Sequence, residues 1–153
     1  MKNDTAMVRP ICYMIMPFRR KKVEEPRPTG APAEINFDAL WETAYWPAIE
    51  ALGYLPMRAD FDPRSAIVKA MLERIAFADL VLADVTLGNA NVYYEVGYAH
   101  ALNKPTILLA QRGKELPFDI RSYRVIFYDD SIGGKPLVEK TLREHLHAIL
   151  QEI

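Results

Sequence analysis

The sequence predicts a single α/β domain built on a parallel, doubly wound sheet, and three observations carry that expectation. Its strand-like segments are mostly solid apolar runs, the pattern of strands buried on both faces. Segments with helical spacing separate those runs, which is the arrangement of parallel strands joined by crossover helices. The length, 153 residues, suits one hydrophobic core and needs no metal or disulfide to hold it.

The elements follow in order. The run ICYMIM at 11–16 ends at Pro17 and reads as the first strand. From Arg19 to Pro32 the chain carries three prolines, a glycine and seven charges without periodicity, so a mobile loop is expected at about 19–34, of the kind that covers a site. Phe37, Leu40, Trp41, Ala44, Ala48 and Leu52 recur at helical spacing, Gly53 closes that helix, and Pro47 predicts a kink or break near Trp46. The run at 54–57 is a second strand, placed at an edge because Pro56 cannot donate to a ladder. Pro63 is expected to open the next helix, with Ile67, Met71, Ile75 and Ala78 on its apolar face. LVLA at 80–83 is the third strand, and a helix at about 92–102 follows it. TILLA at 106–110 and RVIFY at 124–128 are the fourth and fifth strands. A last helix buries Val138, Leu142, Leu146, Ile149 and Ile153. Five parallel strands with helices on both faces fit the flavodoxin-like order 2-1-3-4-5.

Composition excludes several classes. Nineteen basic residues against 20 acidic ones give a net charge of -1, which lacks the positive field of a nucleic-acid-binding protein. No apolar run approaches the roughly 20 residues of a membrane span. A single cysteine, Cys12, forms no internal disulfide framework and fits a reducing, cytoplasmic setting. Neither a GxGxxG nor a GxxxxGK[ST] phosphate cradle is present, and no Cys/His cluster has metal-ligand spacing, so no cofactor or metal is expected. What remains is carboxylate chemistry.

In open parallel sheets, ligands bind beyond the carboxyl ends of the strands where the strand order reverses. That places a site between the loop after the first strand, Met16, Pro17, Phe18, Arg19, and the segment from Asp84 through Asn89 and Asn91 into the helix with Tyr94 and Glu95. With Asn91 as the expected N-cap, Glu95 falls in about the first turn, bordering the apolar face of Val92, Val96 and Ala99. An acid favoured by the helix dipole and a catalytic carboxylate both fit that position. Asp84 either faces the ligand or caps its own loop with Thr86, and Asp60 either holds a hydroxyl or pairs with Arg58. Asp79 belongs to the opposite edge as a turn residue, and His100 reads as a partly buried helix residue.

The segments ADLVLADVT at 78–86 and NVYYEVGYAHALNKP at 91–105, with Ile15-Met16-Pro17-Phe18, Arg58-Ala59-Asp60 and Pro117-Phe118-Asp119, resemble the nucleoside 2-deoxyribosyltransferase superfamily, most of all its TIR-like bacterial branch. The resemblance implies the same flavodoxin-like fold. It also implies that Glu95 attacks the anomeric carbon of an N-glycosidic bond, the helix N-terminus keeping it ionised. The chain departs from the family pattern at two acidic positions, occupied here by Met71 and Asn89.

The resulting expectation is cleavage of an N-glycosidic bond in a small-molecule nucleotide or nucleoside, with Glu95 as nucleophile. Asp84, Asn91 and Asp60 would orient the sugar, Phe18 and Tyr94 would contact the base, and Arg19 would meet a phosphate, with Met16, Pro17 and Asn89 completing the site. One alternative is a TIR-type hydrolase that takes NAD as substrate; another, motivated by Met71 and Asn89, is a non-catalytic nucleotide-sensing or interaction module. A homo-oligomer is expected, in which the loop or a partner chain covers Glu95, with Trp41, Tyr45 and Trp46 as contact candidates or core residues.

Overall fold

The computed structural model describes residues 8–24, 29–30, 32–59, 67–121, 123–129 and 134–152. In chain order these form β1 (Ile11–Ile15), β2 (Arg20–Lys22), β3 (Glu34–Asn36), α1 (Phe37–Leu40), a π-helical segment (Trp41–Tyr45), α2 (Trp46–Ala51), β4 (Leu55–Arg58), α3 (Ile67–Phe77), β5 (Leu80–Asp84), α4 (Ala90–Ala101), β6 (Thr106–Gln111), α5 (Phe118–Arg121), β7 (Val125–Tyr128) and α6 (Gly134–Gln151). The positions of Asp60, Pro63 and Ile153 lie outside the described residues.

The main sheet has five parallel strands in the order β4-β1-β5-β6-β7. Counting only these strands along the chain, that is the expected 2-1-3-4-5. The solid apolar runs have a direct cause. Cys12, Met14, Leu80, Leu82 and Leu109 point to one face, where Phe37, Leu40, Ile49, Val138, Leu142 and Leu146 cover them. Their neighbours Tyr13, Ile15, Val81, Ala83, Leu108 and Ala110 point to the other, beneath Ile75, Val92, Val96 and Ala99. Successive side chains alternate between faces, so a sheet covered on both sides demands apolar residues at every position.

The charged stretch after β1 departs from expectation. It is not a loop throughout: β2 and β3 pair antiparallel, with Arg20 opposite Asn36, Lys21 opposite Ile35 and Lys22 opposite Glu34. Two backbone bonds extend the pairing, from Val23 N–H to the Ala33 carbonyl at 2.8 Å and from Phe37 N–H to the Arg19 carbonyl at 2.9 Å. Val23 and Ile35 are buried in the core beside Phe37, which anchors an otherwise exposed ribbon.

The helix after this hairpin changes type as Pro47 requires. The Trp46 N–H bonds back to the Trp41 carbonyl, a π-helical step, and the α-helical hydrogen bonding resumes with Pro47 in its first turn, where a missing N–H is harmless. Trp41 and Tyr45 are buried, while Trp46 is exposed and meets Trp41 edge to face. Gly53 has φ +84°, the left-handed cap expected of it.

Candidate active site

A cavity of about 430 Å³ opens at the carboxyl ends of the strands, where β1 and β5 part. Met16, Pro17, Phe18, Arg19 and Lys21 line one side, Asn89, Asn91, Val92, Tyr94 and Glu95 the other, and Met71 closes the α3 end. Eight of the ten site residues expected from the sequence therefore meet here; of the other two, Asp84 does not line the cavity and Asp60 lies outside the described residues. Arg19 adopts φ +62°, a left-handed backbone rare outside glycine, at the point where the chain turns from the cavity into β2.

The start of α4 is set by Asn89, not Asn91. The Asn89 Oδ1 accepts the Val92 N–H at 2.9 Å, with extended backbone at φ -76° and ψ 152°. Gly88 precedes it at φ +60°, and a Cβ there would come 3.2 Å from the Tyr93 hydroxyl, so both conformation and space call for glycine. Asn91 is left exposed at the cavity.

This shift moves Glu95 to the sixth residue of the helix. The dipole acts chiefly within the first turn, so it does not hold this carboxylate ionised as the family resemblance implied. Burial dominates instead. Glu95 is 9% exposed, and desolvation pushes its pKa up to about 7. It makes no hydrogen bond or ion pair with the described residues. Such a carboxylate is poorly solvated, unneutralised and open to the cavity.

Asp84 has a different place from the one expected for a sugar-orienting group. It is fully buried on the face of the sheet that carries Tyr45 and Tyr128, and it does not line the cavity. Its Oδ2 accepts the Tyr45 hydroxyl at 2.6 Å and the Tyr128 hydroxyl at 2.7 Å, and its Oδ1 accepts the Thr86 N–H at 3.0 Å. Thr86 Oγ1 lies 3.1 Å from the Tyr128 hydroxyl and accepts the Gln111 N–H at 2.9 Å. Burial raises the Asp84 pKa, with the bonds from Tyr45, Thr86 and Tyr128 pulling it down. Asp84 thus caps its loop, and the loop leads directly to the Asn89 cap and Glu95.

Other sequence candidates resolve by position. Arg58 pairs with Asp38 at 3.0 Å. Asp79 accepts the Ile11 N–H at 2.7 Å, tying the opposite edge of the sheet. His100 stacks on Tyr123, rings 3.9 Å apart, and burial lowers its pKa. Cys12 lies in the core, where burial pushes its thiol up and keeps it unreactive. Lys21 lines the cavity although nothing in the sequence singled it out from its charged run; only its place in a hairpin strand explains it. No group of residues able to hold a metal occurs among the described residues, and none of their helices is long and apolar enough to cross a membrane.

No family model matches the chain, and no curated protein is similar to it. Among solved structures, it is similar to the Clostridium botulinum CMP N-glycosidase BcmB, with 18% identity, a TM-score of 0.57, and coverage of 88% of this chain and 98% of that one. A response regulator receiver domain protein from Bacillus halodurans is more distant, at 11% identity and a TM-score of 0.47, covering 92% of this chain and 97% of that one. At this identity the first likeness establishes the fold: a five-stranded, parallel, flavodoxin-like α/β domain.

Proposed function

We propose that this protein cleaves the N-glycosidic bond of a small-molecule nucleotide or nucleoside, with Glu95 as nucleophile. The observation that carries the proposal is the Glu95 carboxylate, buried, unpaired among the described residues and facing the cavity at the strand ends. The similar fold of a CMP N-glycosidase supports the same reaction class.

In this reading Glu95 attacks C1′ as its bond to the base nitrogen breaks. The base leaves with the bonding pair and takes a proton from water. A second water then cleaves the glycosyl ester and restores the carboxylate. Phe18 and Tyr94 contact the base, Asn91 meets the sugar, and Arg19 and Lys21 offer charge to a phosphate.

One observation favours a second substrate class. Glu95 is the carboxylate that the described residues give the cavity lining; Met71 and Asn89 supply no acid. Nicotinamide leaves NAD as a neutral molecule and needs no acid, so TIR-type NAD hydrolysis also fits. Chromatography of free bases released from nucleosides, nucleoside monophosphates, deoxynucleotides and NAD tests the proposal. Release by the wild type and loss in a folded Glu95→Gln variant are expected. A nucleotide that binds and raises the melting temperature without any turnover would leave a sensing module in place of an enzyme.

A further inference from the structure

Arg58 lies at the end of β4, outside the cavity lining, yet it is held by four side chains, two of which, Met16 and Phe18, line the cavity. Its guanidinium carbon is 5.0 Å from the centre of the Phe18 ring and 5.4 Å from that of Trp41. Its Nη2 pairs with Asp38 at 3.0 Å, and its Nη1 is 3.9 Å from the Met16 sulfur. With a side chain only 17% exposed, it is one of the less hydrated charges of the fold. An arginine keeps its charge at every working pH, and two aromatic faces with a carboxylate fix its plane.

Phe18 lines the cavity and Arg58 does not, so the cation occupies the side of the ring turned from the ligand space. A cation on one face of an aromatic ring draws π-electron density toward itself. The opposite face becomes less negative, and its attraction for a second cation weakens. Arg19 and Lys21 add positive charge to the same wall. We infer that Arg58 is a specificity-determining positioning residue: acting through Phe18, it selects a neutral nucleobase over a cationic pyridinium base. The inference rests on the N-glycosidase reading for the place of the base, and it separates the two substrate classes that the reaction chemistry alone does not.

CMP and nicotinamide mononucleotide make a matched pair of probes, since both are ribose 5′-phosphates and they differ in the charge of a six-membered base. Calorimetric titration of each into the full-length Glu95→Gln variant, where the base stays attached, is expected to show CMP binding about tenfold tighter. Adding Arg58→Met should tighten nicotinamide mononucleotide, weaken CMP or leave it little changed, and so bring the two within about twofold. Phe18→Leu should collapse the same ratio, and combining it with Arg58→Met should produce little further change, because both act through one ring. Arg58→Lys keeps the charge and loses the planar stack, so an intermediate ratio is expected and a packing defect in the methionine variant is controlled. Equal binding of the two probes, tighter binding of nicotinamide mononucleotide, binding of neither, or a ratio unmoved by Arg58→Met overturns the inference. If the ratio behaves as expected but the wild type releases no base from any substrate, the selectivity stands and the N-glycosidase reading falls.

Discussion

Replacing Glu95 by glutamine should stabilise the protein at alkaline pH and leave its stability unchanged in acid. An unfolded glutamate ionises near the ordinary 4.5, whereas Glu95 in the fold holds its proton up to about 7 because burial strips water from the carboxylate. Between those values the folded state binds more protons than the unfolded one, so stability falls as pH rises through that window. The penalty is absent below the unfolded value and fully developed above about 7. At about 1.4 kcal/mol per pH decade, the rise to about 7 corresponds to about 3 kcal/mol. Glutamine, neutral throughout, escapes this penalty. For a chain of this size that energy is roughly 6–12 °C in melting temperature. Circular-dichroism melts of both proteins at about pH 4, 6 and 8 measure the difference, which should open steadily with pH. Base release by the wild type should climb over the same range with a midpoint near 7, since the attacking form is the carboxylate. A melting difference that stays constant from acid to alkali, or a wild type more stable than the variant at about pH 8, would refute the desolvation argument.

Two further outcomes follow from the elements that carry Glu95. Asn89→Ala removes the cap of α4 and should lower stability by about 1 kcal/mol in urea unfolding, with slower base release as the first turn frays. Tyr45→Phe and Tyr128→Phe each delete one of the phenol bonds to Asp84 and should cost about 1.5–3 kcal/mol, the double variant losing more than the sum because it takes both phenol donors from one buried carboxylate oxygen.

Much of this architecture is legible in the sequence, and the physical reasons are specific. The central strands could be read because both faces are buried, so β1 and β5 admit hardly any polar residue before Asp84. The β2–β3 hairpin could not, because its strands expose Arg20, Lys21 and Lys22 and keep only Val23 and Ile35 as buried anchors. Glu95 stood out as an acid bordering an apolar helix face. Its electrostatics did not, because two asparagines compete for the cap. Geometry decides between them, since only the Asn89 oxygen reaches the Val92 N–H behind the turn at Gly88. The Arg58 assembly draws on positions 16, 18, 38, 41 and 58, which no local spacing connects.

The π-helical segment at 41–45 makes chain length there as consequential as residue type. A π turn holds one residue more than the α-helical turn it replaces, and that residue lets Trp41 face Arg58 while Tyr45 reaches Asp84. Deleting a single residue would restore ordinary helical register and rotate everything beyond it by about 100° relative to Phe37 and Leu40. Tyr45 would swing away from the end of β5, and the loop feeding Glu95 would lose one of its fixings. Substitutions along this stretch act one contact at a time, whereas a shift in reading length displaces Tyr45, Trp46 and the whole of α2 together. Any related chain that is one residue shorter here must fasten this helix to the end of β5 by other means.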